Sequence, residues 1–362
     1  MTETYDCSLE NAAELHEHAS AACARAQWAE AEQAALQALA AFENQEGVLN
    51  PDVANISNLL SEIAEAQGRC LEASTYARRA WEIMEHLGDR CQGPEADEIR
   101  ADALIQLGTA LHTAGRYREA ETWLQLALEH AERTKCNLAA ALNALGVLSK
   151  YTGKFTRAEQ FYGRALALVA EDSAAAATLH HNLGGLALVR GEFAKAEGPA
   201  RRAWEIRRDL LGENHPETLA DACAYAAVLD GLGRHSEAEA IYLESLARFS
   251  DHFGGEHLQI ALNLNNLAAA RWAQGDASTA ESLYRRAAVM KGKLLGVGHP
   301  DTALTLHNYA SMLVELGRTG EARELETRAL AVFESALDPF HPWRVAANEL
   351  WQKLEKTTGG KQ

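Results

Sequence analysis

The sequence predicts an all-α fold, a solenoid of about eight antiparallel helix pairs closed by one C-terminal helix. One phrase returns along the chain: a small residue, a Gly seven positions later, then Ala five after that, often as Ala-Glu. The Gly copies are Gly68, Gly115, Gly153, Gly191, Gly233, Gly275 and Gly317, at gaps of 47, 38, 38, 42, 42 and 42 residues. A period near 40 with no strand signal marks stacked helical hairpins. Gly suits the end of each first helix because the residue there often takes positive φ, which costs a residue with Cβ.

One copy shows how each pair is built. Leu264, Leu267 and Ala268 recur at helical spacing before Gly275, and Ala280, Leu283, Tyr284 and Ala287 follow it. Ala268, Ala280 and Ala287 are small where two antiparallel helices would cross, which lets the axes come close. The equivalents are Gly108, Gly146, Gly184, Ala226 and Ala310 in first helices, and Ala80, Ala127, Ala165, Ala203 and Ala329 in second helices. The first repeat is degenerate, with Gln27 in the Gly position and Ala31-Glu32 keeping the frame. Pro199 falls about two turns into a second helix and predicts a kink or a late start there. These boundaries give a tail at 1–8, a solenoid at 9–338, a capping helix at 339–356 with Trp343, Leu350 and Trp351 closing the open end, and a frayed tail at 357–362.

The composition narrows the partners. A net charge of −17 repels phosphate backbones and anionic membranes, so neither nucleic acid nor a membrane surface is expected. Six cysteines without CxxC spacing suit reduced thiols, and no apolar run is long enough for a signal peptide or a membrane span. A cytoplasmic protein is expected.

The chain resembles the tetratricopeptide repeat family. LHHNLG at 179–184, LNNLA at 264–268 and LHNYA at 306–310 carry the resemblance, with joints GENHP at 212–216, GVGHP at 296–300 and DPFHP at 338–342. Over about 176–342 these 42-residue copies look like the repeats of kinesin light chains and their bacterial relatives. Repeats three and four, at 38 residues, resemble the family only in general. The resemblance implies a right-handed superhelix with the first helices lining a concave groove.

No catalytic motif is present: there is no GxSxG, no Gly-rich phosphate loop and no HExxH. No enzyme activity and no cofactor are expected. His215, His257, His299 and His341 recur every 42 residues, which separates them along a solenoid and disfavours a shared metal ion. A capping role at the joints suits them better, with Pro at the first helical position. In the groove that the resemblance implies, the candidate peptide-binding residues are Asn58, Asn143, Lys150, His181, Asn182, Asn265, Asn266, Trp272, His307 and Asn308. Asn is a poor helix former, and its amide offers both donors and an acceptor to an extended backbone. The alternative roles are satisfaction of neighbouring helix ends for the amides and packing on the next repeat for Trp272. The expected function is a non-enzymatic adaptor that binds an extended peptide or a partner's helix. The alternative is a peptide-sensing regulator whose curvature changes on binding, and a homo-oligomeric scaffold is a third reading.

Overall fold

The computed structural model describes residues 9–359, and the side chains of 9–356 apart from Cys70. The expected tail at 1–8 lies outside the described residues, as do 360–362. Among the described residues the chain forms seventeen α-helices and one 3-10 turn, with no strand. The helices are α1 (Leu9–Ala24), α2 (Trp28–Glu46), α3 (Pro51–Ala66), α4 (Cys70–Leu87), α5 (Pro94–Thr113), α6 (Tyr117–Thr134), α7 (Leu138–Tyr151), α8 (Phe155–Leu166) and α9 (Ala174–Val189). They continue as α10 (Phe193–Leu211), α11 (Pro216–Gly231), α12 (His235–Phe253), α13 (Leu258–Ala273), α14 (Ala277–Leu294), α15 (Pro300–Glu315), α16 (Thr319–Ala336) and α17 (Pro342–Gly359). The capping helix therefore runs past residue 356, where a frayed tail was expected. The chain groups into two compact units, Met1–Leu145 and Gly146–Gln362, with the boundary inside α7.

In the first unit α1 packs on α2, α3 on α4 and α5 on α6, and each pair packs on the next. Its core joins Ala31, Ala35, Ala38, Phe42, Ile56, Leu60 and Met84. In the second unit the pairs are α9/α10, α11/α12, α13/α14 and α15/α16, with α17 on α16 and α15. The large core there runs from Leu219 to Leu354.

The pairs close where the sequence placed small residues. A Cβ on Gly108 would lie 2.4 Å from the Leu124 side chain, and one on Gly146 would lie 2.4 Å from the Tyr162 ring. Ala226, Ala268 and Ala310 hold the same place and are fully buried. The turn glycines all take positive φ, from +72° at Gly191 to +87° at Gly275. In the first repeat the residue with positive φ is Ala26, at 55°. The degenerate position is thus Ala26, and Gln27 is the residue that precedes the second helix, as Arg69 does before α4.

α10 shows one of the two outcomes expected at Pro199, a late start, to be absent. It starts at Phe193 and continues through Pro199 to Leu211, so the late start does not occur. Proline removes one hydrogen bond, to the Lys195 carbonyl. Burial of Ala196, Ala200 and Ala203 on the packed face holds the helix in place around that gap.

An ion-pair ladder links successive repeats, and it explains the recurrent Glu of the Ala-Glu phrase. Arg69 reaches Glu32 at 2.7 Å, Arg190 reaches Glu159 at 3.2 Å and Arg234 reaches Glu197 at 2.9 Å. Arg271 reaches Glu239 at 2.6 Å, and Arg318 reaches Glu281 at 2.6 Å. In each case the Arg lies near the turn Gly of one repeat and the Glu belongs to the repeat before. Repeat two has Ser74 in that place, and Arg116 pairs with its own helix through Glu119 instead.

Two glycine substitutions separate close crossing from helix propensity. Gly146→Ala should destabilise by about 1–3 kcal/mol, because the buried Tyr162 ring has to move. Gly163→Ala, whose new methyl meets open space, should instead stabilise by about 0.5 kcal/mol. Urea unfolding of both variants checks the assignment; equal effects would contradict it.

Candidate functional site

The four joint histidines are helix caps. The Nδ1 atoms of His215, His257, His299 and His341 accept hydrogen bonds from the backbone N–H two residues on, at 3.3, 3.2, 3.1 and 3.2 Å. Three of them precede the Pro that opens a helix. Each therefore does what an Asn or Ser cap does, satisfying one orphan donor of the first turn. Among the described residues no group of three or more His, Cys, Asp or Glu is placed to hold a metal ion.

The candidate groove residues divide into those turned into seams and those left accessible. In α13 and α15 three amides form a directed chain. Asn308 Nδ2 donates to Asn265 Oδ1 at 3.4 Å, and Asn265 Nδ2 donates to Asn266 Oδ1 at 3.1 Å. Asn265 is buried at the centre of this chain, whereas Asn266 and Asn308 are half-exposed. The arrangement leaves an amide donor on Asn266 and a carbonyl acceptor on Asn308. His307, beside Asn308, is buried and turns back to Glu326 of α16, at 3.0 Å.

In α9, Asn182 is buried while the side chain of its neighbour His181 is 37% exposed. His181 Nδ1 lies 2.7 Å from Asp221 Oδ1 on α11. Asp221 is itself buried and accepts from Arg207 Nε at 2.9 Å, and Arg207 also reaches Glu217 and Thr178. This network fixes the imidazole through its Nδ1.

Lys150 stands at the end of α7, with Nζ 5.0 Å from the centre of the Tyr151 ring. A Cβ on Gly185 of α9 would lie 3.6 Å from that Nζ, so glycine gives the lysine its room. Enclosure by protein pushes the ammonium down to about 8, and the opposing attraction comes from Asp301. Trp272 is half-buried and packs on the core of its own unit. In the first unit, Asn58 is buried and donates to the Ile99 carbonyl at 3.0 Å. Asn143 is half-buried on α7.

The structure thus brings Asn265, Asn266 and Asn308 together, and pairs His181 with Asp221. It places Asn58, Asn182 and His307 in packing seams and Trp272 against the core. Sequence reasoning missed Asp221, Arg207 and Glu326. For Glu326 the sequence did hold a signal, a charge where the other repeats carry Ala77, Leu124, Tyr162, Ala200, Tyr242 and Tyr284. The described cavities lie elsewhere. One of about 570 Å³ sits at the irregular joint before α5, against Trp81, Arg100 and His130. Another of about 490 Å³ sits beside the short α8, against Leu166, Val169 and Arg202.

The family profile described as tetratricopeptide repeat matches residues 99–171, 175–251, 224–290 and 259–335. The chain is a tetratricopeptide repeat protein. No curated protein sequence matches it. Among solved structures, a Rap protein complexed with Competence and Sporulation Factor is 13% identical, covers 83% of this chain and 80% of its own, and superposes with a TM-score of 0.60. The apo form of RapI is 13% identical, covers 78% of this chain and 98% of its own, and has a TM-score of 0.53. A putative kinesin light chain repeat protein from Podosopora anserina is 20% identical, over 54% of this chain and 94% of its own, with a TM-score of 0.40. The Rap likenesses show a shared helical-repeat fold. No helix of the described residues is long and apolar enough to cross a membrane.

The caps of this tetratricopeptide repeat protein include a strongly pH-sensitive one at the last joint. His341 is almost fully buried, and burial pushes its imidazole down to about 4 from 6.5, against a smaller opposing pull from Asp338. The unfolded chain therefore takes up this proton first as pH falls. The stabilising contribution is complete above about pH 6.5 and is lost progressively toward pH 4. His341→Asn keeps a capping acceptor without titrating. The stability advantage of wild type over this variant should shrink by roughly 2–3 kcal/mol between pH 7.5 and 4.5, as measured by urea unfolding at the two pH values.

Proposed function

We propose that this chain is a non-enzymatic interaction protein that holds an extended peptide segment of a partner along the first helices of residues 146–362. The observation that carries this reading is the chain Asn308–Asn265–Asn266. Its buried centre fixes the two accessible amides. Its ends offer one acceptor and one donor, the complement of a peptide bond's N–H and C=O. Such a surface reads backbone and leaves selection to other groups on the first helices, here His181 and Lys150. The free thiols of Cys23, Cys91, Cys136 and Cys223 fit a reducing compartment, which supports a cytoplasmic setting.

The second reading is a peptide sensor whose curvature changes on binding. Among the structural neighbours, the Rap protein is complexed with a factor named for competence and sporulation. The likeness is one of fold, and support for a moving curve in this chain comes from its own contacts, described below.

Selection from a random peptide display library against the purified protein tests the site. Asn266→Ala with Asn308→Ala should weaken a selected peptide by about 5- to 150-fold, as two hydrogen bonds at roughly 0.5–1.5 kcal/mol each imply. Arg285→Ala with Arg286→Ala should change affinity little, since exposed charges contribute at most about 1 kcal/mol. Titration calorimetry reads both. A peptide that ignores the amides and depends on the arginines would place the binding face elsewhere. Asn265→Ala is the poorer probe, because loss of its buried amide lowers stability as well.

A further inference from the structure

The turn between α7 and α8 meets the joint before α17, although four helix pairs separate them in sequence. A Cβ on Gly153 would lie 3.6 Å from both Cα and Cδ2 of His341. Tyr151 and Trp343 face each other edge to face, with centroids 5.9 Å apart and planes at 87°. Phe155 lies 6.3 Å from the His341 ring. Trp343 is in turn braced by His341 at 5.0 Å and by Phe333 at 6.2 Å.

Both partners depart from the repeat pattern at these places. Two residues before the turn glycine the copies read Ala66, Thr113, Tyr151, Val189, Gly231, Ala273 and Glu315, so only Tyr151 is aromatic. Two residues after the joint histidine they read Glu217, Gln259, Asp301 and Trp343, so only the last is aromatic. The two exceptions touch each other. Nothing in the repeat itself calls for either, because neighbouring pairs stack without them. Lys150, at the end of the same helix as Tyr151, feels Asp301 at the start of α15, so charge also acts across this edge.

Adjacent pairs in this unit bury whole helix faces against one another, and α17 packs along α16 and α15. The Tyr151–Trp343 contact is of another kind. It joins the edge of the first pair to the edge of the last through rings at a turn and a joint. It closes the run of pairs on itself and brackets α9, α11, α13 and α15, the helices that carry His181, Asn266 and Asn308.

We propose that the Tyr151–Trp343 and Phe155–His341 contacts form a releasable latch: closed, it fixes the curvature of residues 146–362; open, it lets the first helices spread to admit a partner's segment. The gating half of this inference rests on the first helices being the binding face.

Hydrogen exchange on the full native chain tests the latch. In wild type, amides at 150–155 and 341–346 should exchange at a common rate, faster than those of Leu264–Ala268 in α13. Trp343→Ala should speed exchange at 150–155 by about tenfold while leaving 264–268 unchanged. Tyr151→Ala should do the same to 341–346, and this variant leaves α17's own packing intact. Scattering should show a larger radius of gyration for both, and Trp343→Phe should restore protection. If either substitution perturbs only its own segment, or if wild type exchanges at both places only by global unfolding, the latch is overturned. A display-selected peptide should bind Trp343→Ala more tightly than wild type, since opening is already done. Equal or weaker binding overturns the gating. Insensitivity of that peptide to Asn266 and Asn308, with coupled exchange intact, removes the binding face alone and leaves the latch standing.

Discussion

Close approach of two helices at one small residue is the constraint on which each repeat depends. At Gly146 the Tyr162 ring occupies the space a methyl would need, and at Gly108 the Leu124 side chain does so. Such an approach fixes where the second helix lies on the first. It therefore fixes how far the chain must travel before turning, and the turn glycine follows seven residues later. Ala226, Ala268 and Ala310 achieve the same contact with a fully buried methyl. Burial of these seams, more than intrinsic helix propensity, is what holds helices of this length.

Between repeats two weaker devices set spacing. The joint histidines cap the next first helix, and the Arg–Glu ladder ties each turn to the helix behind it. Exposed ion pairs of this kind contribute little individually. Their regularity matters more than their strength. A pair recurring from Arg69–Glu32 to Arg318–Glu281 favours one offset between neighbours over others. The departures are informative for the same reason. Repeat two lacks the acceptor, with Ser74 in its place, and the joint that follows it carries a 3-10 turn at Gly88–Arg90.

The architecture was legible because it repeats: period, turn glycine and crossing residue each occur several times, and an error in one copy is corrected by the others. Where a copy stands alone the reading slipped, as at Ala26, taken one residue late. At Pro199 the late start did not follow, because a local rule was applied without the packing that overrides it. The candidate site was harder. Helical spacing places Asn265, Asn266, His307 and Asn308 within one band, but it does not say which neighbour each side chain meets. His307 turns away because Glu326 waits on α16, and Asn265 is enclosed because Asn308 reaches it. Those outcomes depend on pairs of positions in different repeats, which a period cannot show.

The same limitation turns into a clue for contacts that skip repeats. A solenoid's neighbours are built from matching positions, so a contact between distant pairs cannot use the repeat's own residues without appearing everywhere. It has to be written as an exception. Tyr151 and Trp343 are such exceptions, one at a turn and one at a joint, and each is conspicuous only against the other copies. Edge contacts between rings also differ energetically from the seams. They hold without the burial of a whole helix face and can open while the pairs stay folded, because stability in a repeat array is largely local to each neighbour interface. A chain of coupled pairs with one strong seam type and one exceptional edge contact thus has a natural place to move. The directed amide chain, fixed by its buried Asn265, lies on helices that this movement would carry.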